Sequence, residues 1–331
     1  MKATPGTALT IRPDAALERV RLVERAREYA ASSHAERTVT AYRGAWQRFE
    51  RWCQAQGCAA LPAEPGAVAL YLTARAGDGW RGSTLEVDLA AIVKAHQRAG
   101  YPKPSAAPEV TETLRGIRRD LARQGKAAPR QKAPVTRDEL ARMVAAVPDG
   151  ALGVRDRALL LLGFVGAFRR SELVALDVAD LEERPEGFVA WVRRSKTDQL
   201  GEGLAKAVPY SAAVELCPVR ALRAWLKLAK VTEGPIFRPV DRAGAGARVG
   251  SSRLVGRAVA RAVKRAAEAA GLDAVRFSGH SLRAGFCTQA AIDGKPEGSI
   301  MTQTGHRSTR VVRGYVRRAN VFQSNAAVGL L

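Results

Sequence analysis

Residues 278–285 read SGHSLRAG, and this stretch places a histidine and an arginine, His280 and Arg283, three positions apart. On a helix that spacing puts both side chains on one face, within reach of a single phosphate group. An arginine fork can hold two phosphate oxygens, and an imidazole can donate a hydrogen bond or move a proton. Downstream, Gly305-His306 and Tyr315 add a second imidazole and a phenol. A lone H-x-x-R is a weak signal in an arginine-rich chain, but four such groups in this order favour one shared site.

Two upstream motifs complete a larger pattern. Residues 166–173 read GAFRRSEL, with Arg169 three positions before Glu172, and residues 195–199 read SKTDQ, with Lys196. Together with the downstream groups, these motifs resemble the tyrosine recombinase (phage integrase) family, over nearly the whole chain. The family's G-x-x-R-x-S-E-L pattern favours Arg169 over its neighbour Arg170 as the first active-site arginine.

Composition independently favours a nucleic-acid partner. The 331 residues carry 53 Lys and Arg against 32 Asp and Glu, a formal net charge of +21. Such an excess predicts attraction to a polyanion. A membrane partner is disfavoured, because the longest apolar run, Ala158 to Val165, is far shorter than a bilayer span. The N-terminus lacks the apolar segment of a signal peptide, so we expect a cytoplasmic protein.

The four cysteines are few and scattered, and they predict neither a zinc site nor disulfides in a reducing compartment. We expect them to act as small apolar packing residues. They are Cys53, Cys58, Cys217 and Cys287.

The first part of the chain predicts a helical bundle. An amphipathic helix is expected from Asp14 to Ser33, and the next carries an apolar stripe at 3,4 spacing through Trp46, Phe49 and Cys53. A later helix carries basic residues that become candidate DNA contacts; they are Arg115, Arg118 and Arg119. Its neighbouring segments, including 62–65 (PAEP) and 98–105 (RAGYPKPS), resemble Cre-like members of the family.

The second part predicts a mixed domain behind a linker. Thr136 and Glu139 form a capping box, and residues 154–165 predict a buried central helix. Residues 188–192 and 204–208 predict two antiparallel strands with Lys196 on the turn between them. A basic helix further on is expected to dock against the DNA major groove. Its candidate contacts are Arg253, Arg257, Arg261, Lys264 and Arg265, with no acidic partner before Glu268.

The resemblance implies a mainly α (α+β) fold, in which a helical bundle and a mixed catalytic domain with a small antiparallel sheet form a C-shaped DNA clamp. The expected divisions are an N-terminal arm (1–13), a helical core DNA-binding domain (14–125), a linker (126–135) and the catalytic domain (136–318). The apolar segment 319–331 is expected to form a helix that docks into a neighbouring subunit.

The resemblance also implies the chemistry. Tyr315 would attack a DNA phosphate and form a 3′-phosphotyrosyl link, Arg169 and Arg283 would hold the non-bridging oxygens, and Lys196 would protonate the departing 5′-oxygen. His280 would assist proton transfer at the tyrosine, and His306 would hydrogen-bond the phosphate. Glu172 would orient an arginine. No metal or other cofactor is expected.

The implied partners are double-stranded DNA with a specific recombination site and three further copies of the chain, which exchange strands between two sites through a Holliday junction. One departure concerns His306, since Cre carries Trp there, whereas many other family members carry His. A type IB topoisomerase would use the same chemistry without a defined site. A non-catalytic DNA-binding regulator would explain the charge, but not the ordered set of Arg, Lys, His and Tyr.

Overall fold

The computed structural model describes residues 13–32, 36–126, 132–193, 203–241 and 247–319. The chain divides into two compact units, Met1–Arg130 and Gln131–Leu331. Lys196 and the C-terminal segment 320–331 lie outside the described residues. None of the described helices has both the length and the apolar character needed to cross a bilayer.

The described residues of the first unit form helices joined by turns and short loops. Its helices are α1 (Pro13–Ser32), α2 (Glu36–Gln56), α3 (Pro65–Gly77), α4 (Gly82–Arg98) and α5 (Pro108–Arg123). Phe49 from the predicted stripe of α2 is fully buried and packs edge-on against Tyr71 of α3, with ring centroids 5.1 Å apart. Leu85 of α4 and Val110 of α5 close the same core. The predicted aromatic stripe is therefore core.

A buried carboxylate ties three of these helices together. Asp88 of α4 is 0% exposed and accepts hydrogen bonds from Arg48 of α2 at 2.7 Å and from Arg75 of α3 at 3.3 Å. The hydroxyl of Tyr71 donates to Oδ2 of Asp88 at 3.3 Å, the same oxygen that accepts from Arg75. Because a buried charge is costly unless it is paired, this cluster fixes the relative positions of α2, α3 and α4.

The second unit packs eight helices around a small sheet within its described residues. The helices are α6 (Arg137–Ala146), α7 (Ala151–Val165), α8 (Arg170–Ala175), α9 (Pro218–Ala229), α10 (Gly256–Ala269), α11 (Ser281–Ile292), α12 (Glu297–Thr304) and α13 (Thr309–Ala319). The predicted central helix is confirmed, because α7 is apolar on most sides and buries Leu159 through Leu162. The capping box of α6 is also confirmed, since Thr136 and Glu139 exchange hydrogen bonds.

The sheet has three antiparallel strands, β1 (Leu181–Arg184), β2 (Gly187–Val192) and β3 (Leu204–Pro209), in that spatial order. Phe188 of β2 pairs with Val208 of β3, as expected for the two predicted strands. β1 was not predicted, because its sequence LEER lacks the alternation of apolar and polar residues that marks a half-buried strand. The expected fold class, mainly α with a small antiparallel sheet, is confirmed.

Candidate active site

The arginine box begins where the central helix ends. After α7 stops at Val165, a short turn leads to Arg169, which is the N-cap of α8. The carboxylate of Glu172 is 2% exposed; it accepts the backbone N–H of Arg169 at 2.9 Å and the guanidinium Nη1 at 2.5 Å. Glu172 therefore holds both the backbone and the side chain of Arg169, which is the orienting role expected from the sequence.

The turn before Arg169 has an unusual backbone conformation. Ala167 has a φ of 46°, in the left-handed region that non-glycine residues seldom adopt. Its carbonyl accepts a hydrogen bond from Nη1 of Arg283 on α11, at 2.8 Å. The strained peptide of Ala167 thus binds Arg283 and lies two residues before Arg169 in the chain. It connects two candidate phosphate-binding arginines that are distant in sequence.

Arg283 is 1% exposed, and its second terminal nitrogen makes a further contact. Nη2 lies 2.9 Å from Nε2 of His306. A guanidinium can only donate, so Nε2 of His306 must accept and its Nδ1 must carry the proton. Nδ1 lies 2.8 Å from the hydroxyl of Thr304, which in turn donates to the carbonyl of Ile300 at 2.7 Å. This chain of hydrogen bonds assigns His306 as a neutral imidazole that faces an arginine.

Gly305 sets the direction in which His306 leaves α12. It ends that helix with a φ of 69°, a left-handed conformation that glycine adopts at no steric cost. A Cβ at this position would lie 2.5 Å from Cδ2 of Leu204 in β3. The left-handed conformation therefore favours glycine immediately before His306, while the flexible end of the Leu204 side chain adds a contact that would have to shift.

The remaining two candidates meet across helices α11 and α13. His280 is the N-cap residue of α11, and its Nε2 lies 3.4 Å from the hydroxyl of Tyr315 on α13. The ring of Tyr315 also lies near that of His306, with 6.5 Å between centroids. The phenol therefore faces one imidazole by hydrogen bond and the other by ring contact.

The pKa values of both imidazoles are lowered, in part by the positive charges around them. Desolvation, followed by the charges of Arg283 and Arg169, lowers the pKa of His306 to about 4. Desolvation also lowers the pKa of His280, with Arg283, Arg169 and Arg170 adding to the effect. Both rings are therefore neutral at pH 7. A cluster of arginines that suppresses protonation of two histidines is suited to an anion, whose charge would offset that of the arginines.

The structure thus brings together all the predicted catalytic residues that it describes, namely Arg169, His280, Arg283, His306 and Tyr315, with Glu172 behind them. One residue of the site was missed from the sequence. Lys206 of β3 is 0% exposed, and its ammonium lies 3.8 Å from Glu172. The available signal was its register, since Lys206 occupies an inward position between Leu204 and Val208 in an alternating strand.

The structure corrects the predicted basic helix. Arg253 lies before the N-cap of α10, and its guanidinium binds Asp177 at 2.6 Å and the carbonyl of Ala175 at 2.7 Å. Arg265 forms an ion pair with Asp156, so the expectation of no acidic partner before Glu268 was also wrong. These acidic residues come from distant segments, which helix periodicity cannot show. The remaining three basic residues are exposed on α10; they are Arg257, Arg261 and Lys264.

In the first unit, the three candidate contacts on α5 are also exposed. They are Arg115, Arg118 and Arg119. Arg118 donates to Glu86 of α4 at 2.7 Å, so part of its charge is engaged within the unit.

Comparison with known proteins places the chain in a family. Residues 134–320 match the phage integrase family. The chain is 37% identical over 310 residues to the integrase/recombinase xerD homolog of Selenomonas ruminantium, covering 92% of this chain and 89% of that protein. It is 26% identical over 292 residues to recombinase cre of Escherichia phage P1, covering 85% and 83% of the two chains.

Solved structures show the same fold. The Tn1549 transposon integrase, solved in complex with transposon right end DNA, aligns with a TM-score of 0.57 at 15% identity, covering 90% of this chain and 97% of that one. A lambda integrase dimer bound to a core site aligns with a TM-score of 0.54 at 18% identity, covering 89% and 93%. With the family match over the second unit and the extensive identity to the xerD homolog, the chain belongs to the phage integrase family of tyrosine recombinases, enzymes of DNA strand exchange.

Proposed function

We propose that this protein is a site-specific recombinase that cleaves and rejoins duplex DNA through a 3′-phosphotyrosyl intermediate. The observation that carries the proposal is the approach of the Tyr315 hydroxyl to His280, beside the Arg283–His306 pair. A nucleophile, a proton acceptor and cationic groups for a phosphate thus lie in one cluster. A regulator that only binds DNA would have no use for the first two.

In the first step, the Tyr315 oxygen attacks the scissile phosphorus and its proton passes to Nε2 of His280. His280 is neutral at pH 7 because its pKa is lowered, so it can accept this proton. Burial is the largest cause of the lowered pKa of His280, and the charges of Arg283, Arg169 and Arg170 add to it. A bound phosphodiester offsets part of that positive charge, which makes the imidazole a stronger base when the tyrosine attacks. The 3.4 Å separation between the two atoms would shorten in that complex.

As the new P–O bond forms, the bond from phosphorus to the 5′-oxygen breaks, and that oxygen takes a proton from Lys196. Arg169 and Arg283 stabilise the charge on the non-bridging oxygens of the pentacoordinate transition state. His306 positions Arg283, because its Nε2 accepts from that guanidinium. Its Nδ1 is engaged with Thr304, so this arrangement leaves no N–H for the hydrogen bond to the phosphate that the sequence predicted. The reverse reaction, with the free 5′-hydroxyl of a partner duplex as the attacking group, restores Tyr315 and joins the exchanged strands.

We propose that four copies act on two sites and pass through a Holliday junction. The C-terminal segment 319–331 would close this ring by docking into an apolar groove of the next copy. A suitable groove of about 420 Å³ lies between α7, β3, α11 and α12, and its lining includes Phe164, Phe286, Ala290 and Ile300. The apolar sequence of the tail supports this docking, because such side chains gain stability when removed from water. Because the proposed substrate is DNA, we propose that the protein acts in the cytoplasm.

Strand exchange between sites separates this proposal from a topoisomerase-like activity. DNA trapped in a covalent complex with the protein would be sequenced, and the recovered site would be placed twice in one plasmid. We expect deletion or inversion products whose junctions lie within the two sites, and no such products from a plasmid that carries one site. Relaxation of a site-free plasmid, without defined junctions, would contradict the proposal and support the topoisomerase-like alternative.

A further inference from the structure

The interior of β3 holds a lysine for which the chemistry above has no use. Lys206 is 0% exposed, while its neighbours Ala205 and Ala207 face outward. Burying a lysine among apolar residues is unfavourable unless its ammonium meets specific partners. The position of Lys206 therefore calls for an explanation from its contacts.

Those contacts converge on the turn that precedes the arginine box. The ammonium donates to the carbonyls of Gly166 at 3.0 Å and Ala167 at 3.1 Å, and it lies 4.8 Å from the ring centroid of Phe168. The carboxylate of Glu172 is 3.8 Å away. One charged group thus touches every residue of the turn from Gly166 to Phe168 and also approaches the carboxylate that orients Arg169.

The same turn connects to the second arginine. The carbonyl of Ala167 accepts from both Lys206 and Arg283, at 3.1 Å and 2.8 Å. Because Ala167 has a left-handed φ of 46°, its peptide needs such partners to keep this orientation. If Lys206 lost its charge or its donors, the direction of the Ala167 carbonyl would be free to change, and Arg283 would lose a fixed anchor.

We propose that Lys206 is a positioning residue for DNA cleavage: it holds the turn from Gly166 to Phe168 and thereby sets the geometry of Arg169 and Arg283. This inference rests on the proposed function, in which those arginines bind the scissile phosphate. It also gives strand β3 a role in the site, since Lys206 of this strand bonds to the turn that precedes Arg169.

Lys206 itself is not the general acid. Two of its three N–H groups are directed at carbonyls, and the ammonium has no exposed surface from which to meet a DNA phosphate. Removal of Lys206 should therefore misplace other groups rather than remove a proton donor. This distinction can be measured.

The environment of Lys206 also makes its charge sensitive to pH. Burial lowers the pKa of Lys206 to about 7, with Glu172 opposing the shift and Arg283 and Arg169 adding to it. The other groups that face this cluster are the Cys287 thiol on α11 and the His306 ring that follows α12. The ammonium form that grips the turn most firmly therefore gives way to the neutral amine as pH rises through about 7.

The test compares Lys206→Met with Lys227→Met, a control at an exposed lysine of the same unit. Thermal unfolding, affinity for a cognate duplex and the rate of covalent adduct formation would be measured for each. We expect Lys206→Met to keep its fold and affinity, because Glu172 stays paired with Arg169 and the carbonyl of Ala167 keeps its hydrogen bond from Arg283. Its rate of adduct formation should fall by roughly 10- to 100-fold, the size of effect expected when active-site groups are displaced. The rate of the Lys227→Met control should equal that of the wild type.

Two further readouts separate positioning from other roles. A substrate with sulfur in place of the bridging 5′-oxygen should not rescue Lys206→Met, because its defect does not lie in protonation of the leaving group. The rate ratio of wild type to Lys206→Met should fall as pH rises through about 7. A merely structural role would leave this ratio constant. Lys206→Gln retains an N–H donor without the charge, so it should form the adduct faster than Lys206→Met. It replaces Lys206→Met in these measurements if the Met variant does not fold.

Two results would overturn the inference. A folded Lys206→Met that forms the adduct at the wild-type rate would show that the turn needs no lysine. Rescue of Lys206→Met by the sulfur-bridged substrate would instead identify Lys206 as the acid. Arg169→Ala is included in parallel, because a fully active Arg169→Ala would refute the proposed site itself and not the positioning role alone.

Discussion

The hydroxyl of Tyr315 lies 3.4 Å from Nε2 of His280, although 35 residues separate the two in the chain. Helix α13 presents the phenol and the start of α11 presents the imidazole, so the contact depends on how these two helices pack. The contact gives the proposed nucleophile a proton acceptor before DNA binds. The hydroxyl of Tyr315 can also be removed without changing the other side chains, so the nucleophile can be tested separately from the rest of the site.

Tyr315→Phe removes only the hydroxyl, so we expect it to bind DNA and bring two sites together like the wild type. It should form no covalent protein–DNA adduct on a denaturing gel. Tyr210→Phe is a matched control in the same unit, because the ring of Tyr210 lies against Arg220 and Arg223. An adduct that persists in Tyr315→Phe would place the nucleophile elsewhere, with Tyr210 and Tyr101 the next candidates.

Lys196 is tested through the leaving group. General-acid catalysis matters only while the 5′-oxygen departs as a basic group, and a bridging sulfur departs readily without a proton. Lys196→Ala should therefore cleave ordinary DNA roughly 100-fold or more slowly than the wild type does. On sulfur-bridged DNA it should recover most of the wild-type rate. Arg169→Ala should gain much less, because its role concerns the non-bridging oxygens. Equal impairment of Lys196→Ala on both substrates would exclude it as the acid.

The basic residues near α10 should divide into two classes. Arg261 is exposed on the helix, so Arg261→Ala should weaken DNA binding and reduce the slope of log affinity against log salt by about 1. Arg253 is bound to Asp177 and to backbone carbonyls, so Arg253→Ala should lower the free energy of unfolding by roughly 1–3 kcal/mol. Salt titrations and urea unfolding of both variants would check this, and identical behaviour of the two variants would contradict it.

Protonation of His306 should destabilise the fold in acid. Its pKa is lowered from 6.5 to about 4, so between these values the unfolded chain binds the proton more readily. Neutral His306 therefore adds to the free energy of unfolding. This contribution is complete above pH 6.5 and is lost as pH falls toward about 4. His306→Gln lacks this titration, so the wild type should lose about 1–2 kcal/mol more than the variant between pH 7 and pH 4.5. Urea unfolding at several pH values measures the difference, and parallel curves would refute the assignment.

Loss of the tail should separate binding from assembly. A chain that ends at Asn320 is expected to bind a single site with near wild-type affinity but to form no complex on two sites. Ser299→Arg places a charge at the rim of the proposed acceptor groove, where Ser299 is exposed, and should give the same defect without shortening the chain. Native gel electrophoresis on one-site and two-site DNA distinguishes the cases. Recombination by the shortened chain would show that the tail is not required.

Local patterns were sufficient wherever the relevant interaction lies within a few residues. The 3,4 spacing of Trp46, Phe49 and Cys53 predicted a helix whose apolar side is core, and the Thr136–Glu139 box marked the start of α6. The short offset between Arg169 and Glu172 likewise indicated which carboxylate orients which arginine. β1 escaped this reasoning because its strand character comes from pairing with β2 rather than from its own side chains.

Residue type and short-range spacing follow directly from the chain, so the sequence was enough to identify the groups available for the chemistry. How those groups are held depends on tertiary packing. The carbonyl of Ala167 meets Arg283 across 116 residues, Lys206 reaches the same turn across 39, and Arg265 finds Asp156 across 109. Such contacts depend on which segments pack together in space, and helix or strand periodicity carries no information about a partner a hundred residues away.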